Sequence, residues 1–184
     1  MSGLVDADVR STMRIPMIAV ASLIAAALGG TAPARAQDST GAIGQLADQI
    51  ARVLPADGQV RIIVTDFDDN HGVTSDYSRY LADLLILQLG RTPRLLPIER
   101  RHLRIVLGQF QLRGGDLAKR DSARKVASQF HADVLLLDGL TELDAQVALD
   151  AKVIDVTSGD ALGFASAGVA KDARVQRMLE TGRQ

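Results

Sequence analysis

The 184-residue sequence has no cysteine, no tryptophan, few aromatic residues (3%) and no excess of either charge. Each absence closes a class of function. Without cysteine there is no disulfide, no thiolate zinc site, no cysteine nucleophile and no attachment point for a cysteine-linked lipid. With 21 basic and 22 acidic side chains the formal net charge is −1. This excludes a generally basic nucleic-acid binder and a long acidic tail. The glycine spacing of a phosphate loop does not occur, and no serine sits in a nucleophile elbow. The three histidines, His71, His102 and His131, are about thirty residues apart, so no two share a metal face. No cofactor, metal site or catalytic set is expected. Hydrophobic residues make up 47% of the chain, enough to build the core of one domain plus an appendage.

The appendage comes first. Residues 15–28 read IPMIAVASLIAAAL, a run of 14 apolar or small residues interrupted by Pro16 and Ser22. A bilayer-crossing helix needs about 20. Arg14 precedes the run, and Ala34-Arg35-Ala36 follows before Gln37. A charged start, a short apolar centre and a small-x-small end describe a cleavable export signal. The expected cut lies between Ala36 and Gln37. Asp6 and Asp8 offset Arg10 in the head, so Met13 makes a better start than Met1. The expected organisation is a signal peptide over 1–36, one α/β domain over 37–172 and a polar tail over 173–184. Without a cysteine behind the apolar run the exported product is not expected to be a lipoprotein. Its expected location is the periplasm, with peripheral association at the outer membrane.

The domain reads as alternating helices and strands. Ser39 or Thr40 is placed to cap a helix carrying Ile43, Leu46, Ala47, Ile50 and Leu54 at helical spacing. The run VRIIVTDF over 60–67 is apolar on both faces, as a central strand requires. Thr74 or Ser75 opens a second helix that Gly90 ends. A short strand over 94–98, helices over 100–110 and 121–130, and a buried strand over 133–138 ended by Gly139 follow. Beyond Asp144, apolar Val147, Leu149, Ala151 and Val153 alternate with Ala148, Asp150, Lys152 and Ile154. Period two marks a half-exposed strand. Residues 156–160 turn the chain into a return strand over 161–169. The expected architecture is a mixed β-sheet flanked by helices, closed by a carboxy-terminal antiparallel hairpin at the edge of the sheet.

Two clusters of polar residues are candidates for function. Asp66, Asp68, Asp69, Asn70 and His71 lie at the carboxyl end of a buried strand, where open α/β sheets place their ligands. Oxygen-rich groups suit Mg²⁺ or Ca²⁺. Against this, Asx-rich loops also bond their own backbone, and the spacing matches no calcium loop. The second cluster is basic: Arg100, Arg101 and Arg104 share one side of a helix, with Arg91, Arg94 and Arg113 close in sequence. A face of this kind docks lipid headgroups, polyanionic polymers or acidic partners. Nucleic acid is disfavoured because no aromatic residues interleave with the arginines.

Four segments stand in an order that resembles a known family. They are Val64-Thr65-Asp66-Phe67; Pro97-Ile98-Glu99-Arg100 followed by Leu103, Leu107 and Leu112-Arg113-Gly114; 131–139, reading HADVLLLDG; and 151–160, reading AKVIDVTSGD. Together with Lys171-Asp172 they resemble the FlgO family of envelope proteins and its wider relatives. Those relatives are the curli secretion component CsgG and the LpoB-type activators of peptidoglycan synthases. The resemblance covers about 45–172 and implies a mixed sheet with helices and a non-enzymatic role in the envelope. For FlgO-type proteins that role is accessory to the flagellum at the outer membrane. It also implies partners among flagellar, secretion or cell-wall proteins. The shared residues Asp66, Phe67, Glu99, Arg100, Gly139, Asp155 and Gly159 are expected to hold the fold. Phe67 would plug the core, Glu99 and Arg100 would open a helix, and Gly139 and Gly159 would permit turns. Two departures stand out: His131 occupies a position where relatives usually carry Gly, and Gln109 one where many carry Glu. No spare segments exist for membrane-spanning hairpins, so a pore is not expected.

Overall fold

The computed structural model describes residues 38–69 and 71–183. The proposed signal, the Ala36–Gln37 cut, the start at Met13, and Asn70 lie outside them.

Helix α1 (Ser39–Val53) begins one residue earlier than the hydroxyls suggested. Asp38 is the cap: its carboxylate accepts from the Gly41 N–H at 2.8 Å. Ser39 instead pairs with the Tyr77 hydroxyl at 2.9 Å. The apolar stripe read from the sequence is buried, with Ile43, Leu46 and Ile50 fully enclosed. Strand β1 (Val60–Val64) leads to α2 (Asp76–Leu89), whose first turn is closed by a reciprocal Ser75–Ser78 capping box. Strand β2 (Leu95–Pro97), α3 (Arg100–Gln109), a 3-10 turn (Gly114–Ala118) and α4 (Arg120–Phe130) follow. The chain then forms β3 (Val134–Glu142), β4 (Gln146–Asp155), β5 (Ala161–Ala170) and α5 (Ala173–Glu180).

The five strands form one mixed sheet in the order β2-β1-β3-β4-β5. β1 runs parallel to β2 and β3, while β4 and β5 add antiparallel. β2 and β3 flank β1 on opposite sides, so right-handed crossovers carry the helices to opposite faces of the sheet. The larger core accordingly joins α1, α2 and α5 to one face through residues such as Leu46, Leu81, Val175 and Leu179. The smaller core joins α3 and α4 to the other through Leu103, Leu107, Val126, Ile63 and Leu135. The polar tail carries a helix around Val175, Met178 and Leu179, the residues that suggest one in the sequence, and its apolar stripe packs in the main core. Asp172 caps it, accepting from the N–H groups of Arg174 and Val175, and Lys171 pairs with Glu142 at 2.9 Å.

Gly139 does not turn the chain. β3 continues past it to Glu142, because β4 pairs with it along its whole length. Its lack of a side chain has another use: a Cβ there would lie 2.3 Å from Asp150 Oδ2, so the Asp150 carboxylate lies across this glycine. Gly159 does occupy a turn, with φ +78°. Asp155 closes the same turn by accepting from the Ser158 N–H at 2.7 Å. From α4, Arg120 and Arg124 donate to the carbonyls of Ser158 and Thr157.

The hairpin edge is less open than its sequence implied. Gln49 of α1 donates to the Ser166 carbonyl at 2.8 Å and accepts from the Ser166 N–H at 3.1 Å. The side-chain amide thus occupies part of β5 where a partner strand would add, a common protection of edge strands. At the other edge β2 is three residues long and ends in Pro97, which has no N–H to offer.

His131 ends α4 in the left-handed conformation, φ 48° and ψ 43°. That conformation favours glycine, so the residue type of the relatives at this position has a physical reason. His131→Gly is expected to raise stability by about 1 kcal/mol. Urea unfolding of the two proteins checks this, and a less stable variant would show that the imidazole contributes more than the strain removes.

Candidate functional site

Strand β1 ends at Val64 and the chain stays bonded to β3 as far as Asp68 before it turns toward α2, while β2 feeds α3 on the opposite face. Between these two departures opens a cleft of about 590 Å³, well inside the size range of ligand pockets. One wall is the β1 exit with Thr65, Asp66 and Asp68. The other is α3 and the chain after it, with Arg100, Leu103, Arg104, Leu107, Leu112 and Arg113, and Gly114 and Gly115 beside them.

The β1 exit is anchored from both sides. Phe67 is fully buried in the larger core. The Asp68 N–H donates to the Asp138 carbonyl at 3.2 Å, and the Asp68 carbonyl accepts from the Leu140 N–H at 2.9 Å. Thr65 Oγ1 accepts from the Asp138 N–H at 3.1 Å. With Phe67 pinned inward, Asp66 and Asp68 stand at the cleft.

The carboxylates of this loop do not converge on a common point. Asp66 pairs with Arg100 at 2.6 Å. Asp69 accepts from the N–H groups of His71 and Val73 at 2.8 and 2.9 Å, which holds its carboxyl below the usual range despite partial burial. This is the self-bonding Asx loop that the sequence allowed as the alternative to a metal site. His71 is exposed. Among the described residues no three acidic or histidine side chains are arranged to hold a metal ion. Asp68 differs from its neighbours. Its carboxyl accepts no hydrogen bond among the described residues, and burial, then the charges of Asp66 and Asp69, push its pKa up to about 6.

Asp138 lies at the same end of the sheet, on β3. It is 6% exposed, and neither carboxyl oxygen has a hydrogen-bond partner among the described residues. Burial raises its pKa well above the ordinary value, and the charges of Asp150, Asp66 and Asp68 raise it further. The sequence places it at the end of the buried strand over 133–138 without showing that its carboxyl has no partner. Only pairing with β4, which puts Ala151 opposite it, shows how deep it sits.

The three arginines read as one face have three different positions. Arg100 turns inward, 11% exposed, to Asp66 and to Asp83 at 2.8 Å, and donates to the Arg79 carbonyl at 3.1 Å. Arg104 is exposed and lines the cleft. Arg101 is exposed and lies outside the cleft lining. Glu99 occupies the cap position of α3, where an acid meets the positive end of the helix, but its side chain makes no cap hydrogen bond. The sequence reading missed Arg113 and the leucine wall as site residues. Leu103 and Leu107 are visible in the sequence as helix and motif positions, and Leu112 and Gly114 only within the Leu112-Arg113-Gly114 motif.

Neither Arg104 nor Arg113 forms an ion pair among the described residues. Their guanidiniums, rigid planar forks that match carboxylates and phosphates, face solvent beside the apolar wall. The cleft thus combines unpaired donors and an apolar surface on one side with the Asp68 acceptor on the other. No helix among the described residues is long and apolar enough to cross a membrane.

No family model matches the sequence, and no curated protein matches it. Solved structures do. The LpoB carboxy-terminal domain of Salmonella enterica matches with a TM-score of 0.60 at 17% identity, covering 73% of this chain and 99% of that one. The corresponding domain of Escherichia coli LpoB matches with a TM-score of 0.56 at 18% identity, with the same two coverages. A lipoprotein of Neisseria meningitidis matches with a TM-score of 0.51 at 15% identity, over 62% of this chain and 82% of that one. In fold, the chain is similar to the LpoB carboxy-terminal domain over nearly the whole of that domain.

Proposed function

We propose that the protein is a non-enzymatic component of the cell envelope that acts by holding a protein partner. The observation that carries this reading is the cleft, where the exposed guanidiniums of Arg104 and Arg113 stand beside the half-buried Leu112 and the edges of Leu103 and Leu107. Arginine is among the residues enriched at protein-binding hot spots, and an apolar floor beside it excludes water from such contacts. Similarity in fold to LpoB supports an LpoB-like regulatory role in peptidoglycan synthesis. The four ordered sequence motifs, above all the 151–160 hairpin, support a FlgO-like role at the outer membrane and flagellum. Both support a location outside the cytoplasm with an envelope protein as partner, and the expected export signal over 1–36 supports the same.

The test uses the full chain expressed in a Gram-negative host. Fractionation and amino-terminal sequencing are expected to find it in the envelope, beginning at Gln37. A photo-crosslinker at Leu112 is expected to join it to an envelope protein in living cells. Recovery of the intact chain from the cytoplasm, leader attached, would overturn the reading. The identity of the crosslinked protein, a wall synthase or a flagellar component, selects the branch.

A further inference from the structure

We propose that the cleft at the end of β1 takes an acidic, leucine-like peptide segment of the partner: Arg104 and Arg113 pair with its carboxylates, Leu103, Leu107 and Leu112 cover an apolar side chain, and Asp68 accepts from its backbone N–H groups. This rests on the protein-docking reading above and names the site and the chemistry of what it holds.

Some of the cleft's charges are already satisfied. Of the five charged side chains in the cleft lining, Arg100 and Asp66 neutralise one another. The outward field is set by the other three: the guanidiniums of Arg104 and Arg113, and the carboxyl of Asp68. Charge complementarity therefore asks for an anion opposite the arginines and a hydrogen-bond donor opposite Asp68. An arginine–carboxylate pair partly shielded from water is among the stronger polar contacts available. The leucines between them ask for an apolar side chain. A peptide supplies all three from a few consecutive residues, since each residue also carries an N–H.

An anionic membrane fits less well. Its surface is densely negative, and docking it here would press phosphates against Asp68 as well as against the arginines. The cleft is also concave and about the volume of a small ligand, a shape that a flat headgroup layer does not fill.

The experiment uses protein purified after export and ¹⁵N-labelled. It is titrated with acetyl-Leu-Asp-Glu-Leu amide and with the uncharged acetyl-Leu-Asn-Gln-Leu amide. With the acidic peptide, the amide signals of Leu103, Leu107, Gly108 and Gly115 are expected to shift in a saturable way. The uncharged peptide should bind at least about tenfold more weakly, the loss expected for charge-assisted contacts. The double variant Arg104→Ser/Arg113→Ser should lose a similar factor while the melting temperature falls by no more than a few degrees, since Arg104 forms no ion pair and Arg113 has only a solvent-screened attraction to Asp116. Arg101→Ser, outside the cleft, should bind as the parent does. Equal binding of the two peptides, or no shift in the cleft at millimolar peptide, would overturn the proposal. So would binding to phosphatidylglycerol vesicles that the double variant abolishes while the acidic peptide fails to bind, an outcome that assigns the arginines to lipid headgroups. If the cleft fails while a crosslinker elsewhere on the surface still captures an envelope protein, docking stands and this site falls. If the protein resides in the cytoplasm, the docking reading itself falls.

Discussion

Phe67→Ala is expected to remove about 3–4 kcal/mol of folding stability, the cost typical of emptying a fully buried aromatic site. For a domain of this size the melting temperature should fall by about 10 °C. The loss has two parts. The ring is fully buried in the larger core, so its removal forfeits transfer free energy and leaves a cavity. The neighbouring backbone resists collapse into that cavity, because Asp68 is hydrogen-bonded on both sides to β3, through Asp138 and Leu140. A secondary effect follows at the cleft. Phe67 is the inward anchor between Asp66 and Asp68, so the variant should bind the acidic peptide more weakly even below its melting temperature. Denaturant titration measures the first effect, and a loss under about 1 kcal/mol would show that the site repacks and that the anchor role is wrong.

Asp138→Asn is expected to raise stability at pH 8 by about 2 kcal/mol, the order of the penalty for a buried polar group without a partner. The wild-type carboxyl is buried without a hydrogen bond, among the charges of Asp150, Asp66 and Asp68. An asparagine amide keeps the shape, carries no charge and donates toward those same carboxylates. The pH dependence has a definite sign. Asp138 has a folded-state pKa raised above its unfolded value of 3.8, so between the two the folded chain holds a proton that the unfolded chain has released. Stability then falls as pH rises from about 4 through the folded pKa, and is constant above it. Asp68, raised to about 6, adds a smaller fall of the same sign between about pH 4 and 6, reduced by its partial exposure. Asp69 acts oppositely: its lowered pKa gives stability that is present above 3.8 and lost as pH falls below it. Asparagine at 138 removes only the first of these slopes. The stability difference between variant and wild type should therefore widen as pH rises above about 4 and then level off. Urea midpoints across the pH range read this directly. A difference independent of pH would mean that Asp138 titrates in the folded protein as it does in the unfolded chain.

These two residues also separate what could be read in advance from what could not. Phe67 follows an apolar run and precedes an acidic loop, so a core-plugging aromatic at a strand end was readable locally. Asp138 ends a run of aliphatic residues before a glycine, which marks a buried strand but not whether its last carboxyl finds a partner. Its burial depends on β4 lying alongside, a partner whose register nothing in 133–139 specifies. Arg100 makes the same point. Helical spacing groups it with Arg104, but Asp66 and Asp83 lie on β1's exit and on α2, and only tertiary packing brings them within ion-pair distance. Gly139 was taken for a turn because glycine permits one, whereas the long pairing of β3 with β4 makes it a place for a carboxylate to cross.

The residue order by itself determined the identity and sequence of the elements. Helical and strand periodicity, caps and the 156–160 turn are set by neighbours within a few positions, and those interactions are encoded contiguously. The cleft was decided by tertiary structure alone. Its walls come from segments 30 to 50 residues apart, joined because right-handed crossovers send the connections after β1 and β2 to opposite faces of the sheet. Which charges are cancelled and which remain free to bind depends on that meeting, and no local pattern records it.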